Sequence, residues 1–166
     1  MHVPYNHHDY ELSEKLILIA DDNIYSRNLV KYLLRLIGFS KIEFVYSSAN
    51  ITKEVENILP SLLIINTSLQ TIDVLSLIYE IRHASTDIKE IPILLISRDP
   101  TNKFVSNARD AGATEHIATP FCFSVFFNHI IECFHSPRQF VEIDNFYGPD
   151  RRRKSVEIHT DRRFND

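Results

Sequence analysis

Five short apolar runs, separated by stretches of helical periodicity, limit the folds open to this chain. The runs are Leu16–Ala20, Ile42–Tyr46, Leu62–Ile65, Ile91–Ile96 and Glu115–Ala118. Most are continuous rather than alternating in apolar residues, the pattern of strands covered on both faces. Between them, Tyr25, Leu29, Val30, Leu33 and Ile37 recur on one face of a first helix, which Gly38 closes. Ile51, Val55, Ile58 and Leu59 mark a second helix, stopped by Pro60. Leu75, Ile78, Tyr79 and Ile81 mark a third, with Asp73 placing negative charge at its start. Pro100 falls at the first turn of a fourth, through Phe104, Val105 and Ala108 to Gly112. Phe126, Ile130, Ile131 and Phe134 mark a fifth. Strand then helix, five times over, predicts an α/β chain. Right-handed crossovers wind it into a five-stranded parallel sheet between two helical layers.

In such a sheet, ligands bind beyond the carboxyl ends of the strands. Polar residues collect there: Asp21 and Asp22 after the first strand, Asn66 at the end of the third, Ser97 after the fourth, Thr119 and Pro120 after the fifth. The set resembles an acidic phosphoryl-transfer pocket with an amide where the nucleophile would stand. An amide cannot form an acyl phosphate.

Other chemistries are poorly supplied. The chain has 3 glycines, Gly38, Gly112 and Gly148, too scattered for a P-loop or a G-x-G-x-x-G turn. Its net charge of −4 gives no general attraction for nucleic acid. No signal peptide or membrane-spanning run is expected. Cys122 and Cys133 read as small core residues of a cytoplasmic protein rather than a disulfide framework. Residues 1–14 read as a loose arm, where His7, His8 and Asp9 are too few to hold zinc. Residues 136–166 read as a polar, basic tail with no output domain. Phe140, Phe146 and Tyr147 suggest that its first half packs on something. Arg151, Arg152 and Arg153 are candidate partner contacts. The alternative reading makes the chain a nucleic-acid-associated regulator acting through this Arg-rich tail.

From about Lys15 to His135 the chain resembles a CheY-like response-regulator receiver domain. The resemblance rests on Ile19-Ala20-Asp21-Asp22, Leu36-Ile37-Gly38-Phe39 and Pro60 through Asn66, then Ile91 through Ser97, Ala111-Gly112-Ala113 and Thr119-Pro120-Phe121. It implies a flavodoxin-like (βα)5 domain in bacterial two-component signalling, or phosphorelay. Asp21 and Asp22 then match the pair that helps hold Mg²⁺, and Asn66 takes the phospho-acceptor position. Ser97 matches the Thr/Ser position, Thr119 replaces the lysine, and His116 replaces the switch aromatic. Two main catalytic positions have changed together.

The expectation is a degenerate pseudo-receiver that is not an enzyme and is not phosphorylated. It requires no cofactor and keeps at most a weak or vestigial Mg²⁺ site. Asn66, Ser97 and Thr119 are expected to form one neutral hydrogen-bonded cluster. Ser97 and His116 would be the switch pair. The partner is expected to be a protein, either a sensor kinase or a downstream signalling protein, bound through the fourth helix, fifth strand and fifth helix, the surface the resemblance implies. A homodimer through the fourth helix, fifth strand and fifth helix is a further expectation. Neither nucleic acid nor membrane is expected as a partner.

Overall fold

A computed structural model describes residues 12–47, 49–135, 140–143 and 146–150. Five strands form one parallel sheet: β1 (Leu16–Ala20), β2 (Lys41–Val45), β3 (Leu62–Asn66), β4 (Ile93–Ser97) and β5 (Glu115–Ala118). Their spatial order is β2-β1-β3-β4-β5. The central strands are buried on both sides because each face carries its own helical layer. Leu18, Leu63, Ile65 and Leu95 point into one core with Val55, Ile78 and Ile81. Ile17, Ile19, Ile64 and Leu94 point into the other with Leu34, Phe126 and Ile130. Each such side chain contributes about 1.5–3 kcal/mol when fully buried. The expected α/β sandwich is the fold observed, and all the polar strand ends lie on one edge of the sheet.

The helices are α1 (Ile24–Ile37), α2 (Ile51–Ile58), α3 (Val74–Arg82), α4 (Asn102–Ala111) and α5 (Phe123–His135). Local chemistry sets their ends. Asn23 Oδ1 accepts from the backbone N–H of Tyr25 and Ser26, at 2.9 and 3.1 Å, and caps α1. Gly38 (φ 118°) and Gly112 (φ 105°) take the left-handed conformation that ends α1 and α4.

Four details differ from the sequence reading, the first being that Cys133 is buried as expected but Cys122 is exposed, because it lies just before α5 and not on its core face. On α1 the core takes Val30, Leu34 and Ile37, while Tyr25 and Leu29 are 83 % and 53 % exposed. Two apolar stripes share this helix, and the sheet covers only one. On α3, Tyr79 faces outward and stacks on His83, whereas Arg82 is buried. Pro100 lies before α4, not in its first turn, because Thr101 caps that helix through Phe104 N–H.

The segment read as an arm ends in a 3-10 turn, Leu12–Glu14, held to the body by Ser40 Oγ donating to Ser13 O and by a Lys41–Glu14 ion pair. Residues 1–11 lie outside the described residues, as do Arg151, Arg152 and Arg153. Part of the segment read as a tail forms an antiparallel hairpin of β6 (Phe140–Ile143) and β7 (Phe146–Pro149). It docks beside α3 and α4. The Phe140 ring lies 5.1 Å from the Arg82 guanidinium, Tyr147 Oη donates to Glu90, and the Lys89 ammonium lies over the Tyr147 ring.

Beneath the hairpin, Arg82 donates to the carbonyls of Gly112, Lys89 and Ile91, each at 2.8 Å. Burial pushes its pKa down to about 9, against an opposing pull from Tyr147, so it remains a cation at neutral pH. Gly112 is needed here twice over. It holds a left-handed φ, and an added Cβ would stand 2.6 Å from Arg82 Cγ.

Candidate functional site

The carboxyl ends of β1 and β3 bring Asp21, Asp22 and Asn66 together, as expected. Asn66 is fully engaged. Its Nδ2 donates to Asp21 Oδ2 at 3.0 Å and to Ser26 Oγ at 2.7 Å, and its Oδ1 accepts from Ser68 N–H at 3.0 Å. Both amide protons are thereby used. Asp21 is fully buried, and its Oδ1 accepts from Asn23 N–H at 2.8 Å and from the Ser68 hydroxyl. Asp22 accepts from the backbone N–H of Ser47 at 2.8 Å and of Gln70 at 3.0 Å. Burial pushes the Asp22 carboxyl up, but these hydrogen bonds and the Arg27 charge outweigh it and hold the group below the usual carboxylate range. The Arg27 guanidinium also donates to Asp21 O at 2.8 Å and lies 4.6 Å from the Tyr46 ring centre.

This donor set fits a divalent cation poorly. Every carboxylate oxygen of the acidic pair already accepts from the protein, and Asn66 turns its NH₂ toward Asp21, not an oxygen. Among the described residues, no three His, Cys, Asp or Glu side chains converge as a cation site. Hard cations such as Mg²⁺ need several free oxygens around one point.

A family model for the response regulator receiver domain matches residues 17–131, more than half of the chain. The chain belongs to that family. The receiver is similar in fold to a putative response regulator of Chloroflexus aurantiacus, with TM-score 0.66 and 23 % identity, over 72 % of this chain and 96 % of the other. It is also similar to chemotaxis protein CheY4 of Vibrio cholerae, with TM-score 0.64 and 17 % identity, over 72 % and 98 %. A third likeness is to the receiver domain of a Pseudomonas aeruginosa sensor histidine kinase, whose structure holds a magnesium ion in the active-site cleft. Here the TM-score is 0.62 and the identity 20 %, over 71 % and 94 %. No curated protein sequence matches the chain. Receivers are signalling modules of two-component systems that interact with sensor kinases and other proteins.

The remaining strand ends of the receiver form a second group, apart from Asn66. Ser97 Oγ donates to Asp99 O at 3.0 Å and lies 2.7 Å from His116 Nε2. A hydroxyl has one proton, so with that proton on Asp99 O the imidazole carries its hydrogen on Nε2 and donates. Thr119 Oγ1 turns back to donate to Ser97 O at 3.2 Å. The expected cluster of Asn66, Ser97 and Thr119 is therefore two clusters, because Asn66 finds closer partners in Asp21, Ser26 and Ser68.

His116 packs beside Phe104 of α4. Burial, then the charges of His129 and Arg109, lower its pKa against the opposing pull of Asp99. It is neutral at pH 7.

Sequence reasoning missed Ser26, Arg27, Ser68 and Arg98. The first three are ordinary helix and loop residues whose roles depend on side-chain direction. Arg98 stood in plain view directly after Ser97, at a strand end, and lines the cleft.

Proposed function

We propose that this is a pseudo-receiver, a response regulator that signals by binding proteins without being phosphorylated at Asn66. The observation that carries the reading is the closed network around Asn66. Phosphoryl transfer needs an anionic oxygen nucleophile, a divalent cation and a positive side chain at the transferring oxygens. Asn66 is a neutral amide with every polar atom paired, Asp21 and Asp22 are occupied by protein donors, and Thr119 carries no charge. Any Mg²⁺ site at Asp21 and Asp22 is weak or vestigial, and no cofactor is required. The protein is a cytoplasmic binding module rather than an enzyme.

The surface chemistry favours a protein partner. Tyr25, Leu29, Tyr32 and Leu36 are all exposed on α1 at spacings of four, three and four residues, which makes a narrow apolar row suited to a partner helix. The charged residues of α1 are Arg27, Lys31 and Arg35, so the partner surface beside that row is acidic. In contrast, the exposed face of α4 is polar at Lys103, Ser106, Asn107 and Arg109. These features support α1 as the partner-binding helix in place of the expected α4–β5–α5 surface, where exposed apolar side chains are confined to α5 at Phe123 and Val125.

The decisive experiment is exposure to acetyl phosphate and to beryllofluoride with Mg²⁺, read by intact mass and by NMR. No adduct and no Mg²⁺-dependent shift are expected. Stoichiometric, Mg²⁺-dependent modification in the pocket would overturn the reading.

A further inference from the structure

The cleft beside Asn66 carries a positive charge at the end of β4 and none at the end of β5. Thr119 leaves the end of β5 uncharged. Arg98, just past the neighbouring strand β4, lines the same cleft. This cavity of about 340 Å³ is lined by apolar surface from Tyr25, Leu29 and Phe121 and by polar groups of Asn23, Ser26, Asn66, Ser68 and Thr119, with Asn66 and Ser68 at its floor where they meet Asp21. Arg98 is the one charged residue among those that line it. Among the described residues, no carboxylate pairs with its guanidinium. It also lines the adjoining cavity of about 440 Å³, which reaches Asp22.

An unpaired guanidinium at the mouth of an amphipathic cleft is a recognition element for a planar anion. The acidic pair decides which anion. Asp21 and Asp22 lie just beyond the Asn66–Ser68 floor, so a dianion such as phosphate meets two carboxylates, while a monoanion held by Arg98 at the rim avoids them. Tyr25, Leu29 and Phe121 then offer apolar surface to the rest of the molecule.

We propose that this cleft binds a small monocarboxylate with an aromatic or apolar body, its carboxylate on Arg98 and its body between α1 and Phe121. The proposal rests on the pseudo-receiver reading, because it needs a cleft without a phosphoryl group or bridging cation. Occupancy would act directly on the partner surface, since Tyr25 and Leu29 belong both to the cleft wall and to the exposed row of α1.

The test is a ¹H–¹⁵N NMR titration of the full chain with benzoate, benzyl alcohol and inorganic phosphate, repeated on Arg98→Gln. Arg98 is exposed and outside the core, so the variant should fold. Benzoate should give saturable shifts at Leu29, Asn66, Arg98 and Phe121. It should bind about tenfold or more weakly to Arg98→Gln, the loss expected for a charge-assisted hydrogen bond. Benzyl alcohol should bind both proteins equally and more weakly than benzoate binds the unaltered chain. Equal benzoate affinity for the two proteins, no saturable shift, or tighter binding of phosphate than of benzoate would overturn the proposal. Failure here with no acetyl-phosphate adduct removes only the ligand. An adduct removes the pseudo-receiver reading itself.

Discussion

Asn66 and Asp21 meet through an N–H···O bond of 3.0 Å, and exchanging that amide for a carboxylate changes the sign of the contact. Asn66→Asp places two carboxylates side by side beneath a partly buried floor. The variant is expected to lose about 1–3 kcal/mol in metal-free buffer. Millimolar Mg²⁺ should return part of that loss, whereas the unaltered chain should show little response. Urea denaturation with and without Mg²⁺ reads both.

His116 carries a pH prediction. Its folded pKa lies below the ordinary 6.5, so the unfolded chain binds the proton more readily. Its contribution to stability is present above about pH 6.5 and is lost as pH falls through the folded value. His116→Phe should therefore show a shallower fall in denaturation midpoint between pH 7.5 and 5.5. A steeper fall in the variant would contradict the assigned direction. Asp21, Asp22, Asn66, Ser97 and Thr119 were each legible as strand-end residues in the sequence. Their pairings were not, because Ser26 and Ser68 compete for Asn66 from positions that carry no pattern.

Among the elements, α1 shows most clearly where periodicity stops being informative. Its apolar residues satisfy two stripes, and only the neighbouring sheet and α5 decide that Leu34 is core and Leu36 is surface. Leu34→Ala should cost about 2–5 kcal/mol, while Leu36→Asp should change stability by about 0.5 kcal/mol or less. Equal losses would mean that the helix is rotated from the position described here.

The central strands β1, β3 and β4 were legible to within two residues, because burial on both faces leaves nearly continuous apolar runs, while the edge strands β2 and β5 are only partly buried. Arg82 was not, since nothing in a helical pattern announces an arginine that ends under a lid. Replacing it with Met should cost about 2–4 kcal/mol. The change leaves the carbonyls of Gly112, Lys89 and Ile91 buried without their donor.

For the molecule as a whole, the family match ends at residue 131 but the packed body does not. Phe140 faces Arg82, Tyr147 is bonded to Glu90, and a Cβ on Gly148 would stand 3.3 Å from Gly112 Cα. Ending the chain after His135 should lower stability by about 1–3 kcal/mol, from lost apolar burial and the lost cation–π contact. Native-state hydrogen exchange should then quicken in α3 and α4 before it does in β1 and β3. Unchanged exchange in α3 and α4 would show that the hairpin adds nothing to them. A cut after His135 is therefore expected to open the flank of α3 and α4, so a receiver moved onto another output should carry the hairpin through residue 150 with its sheet.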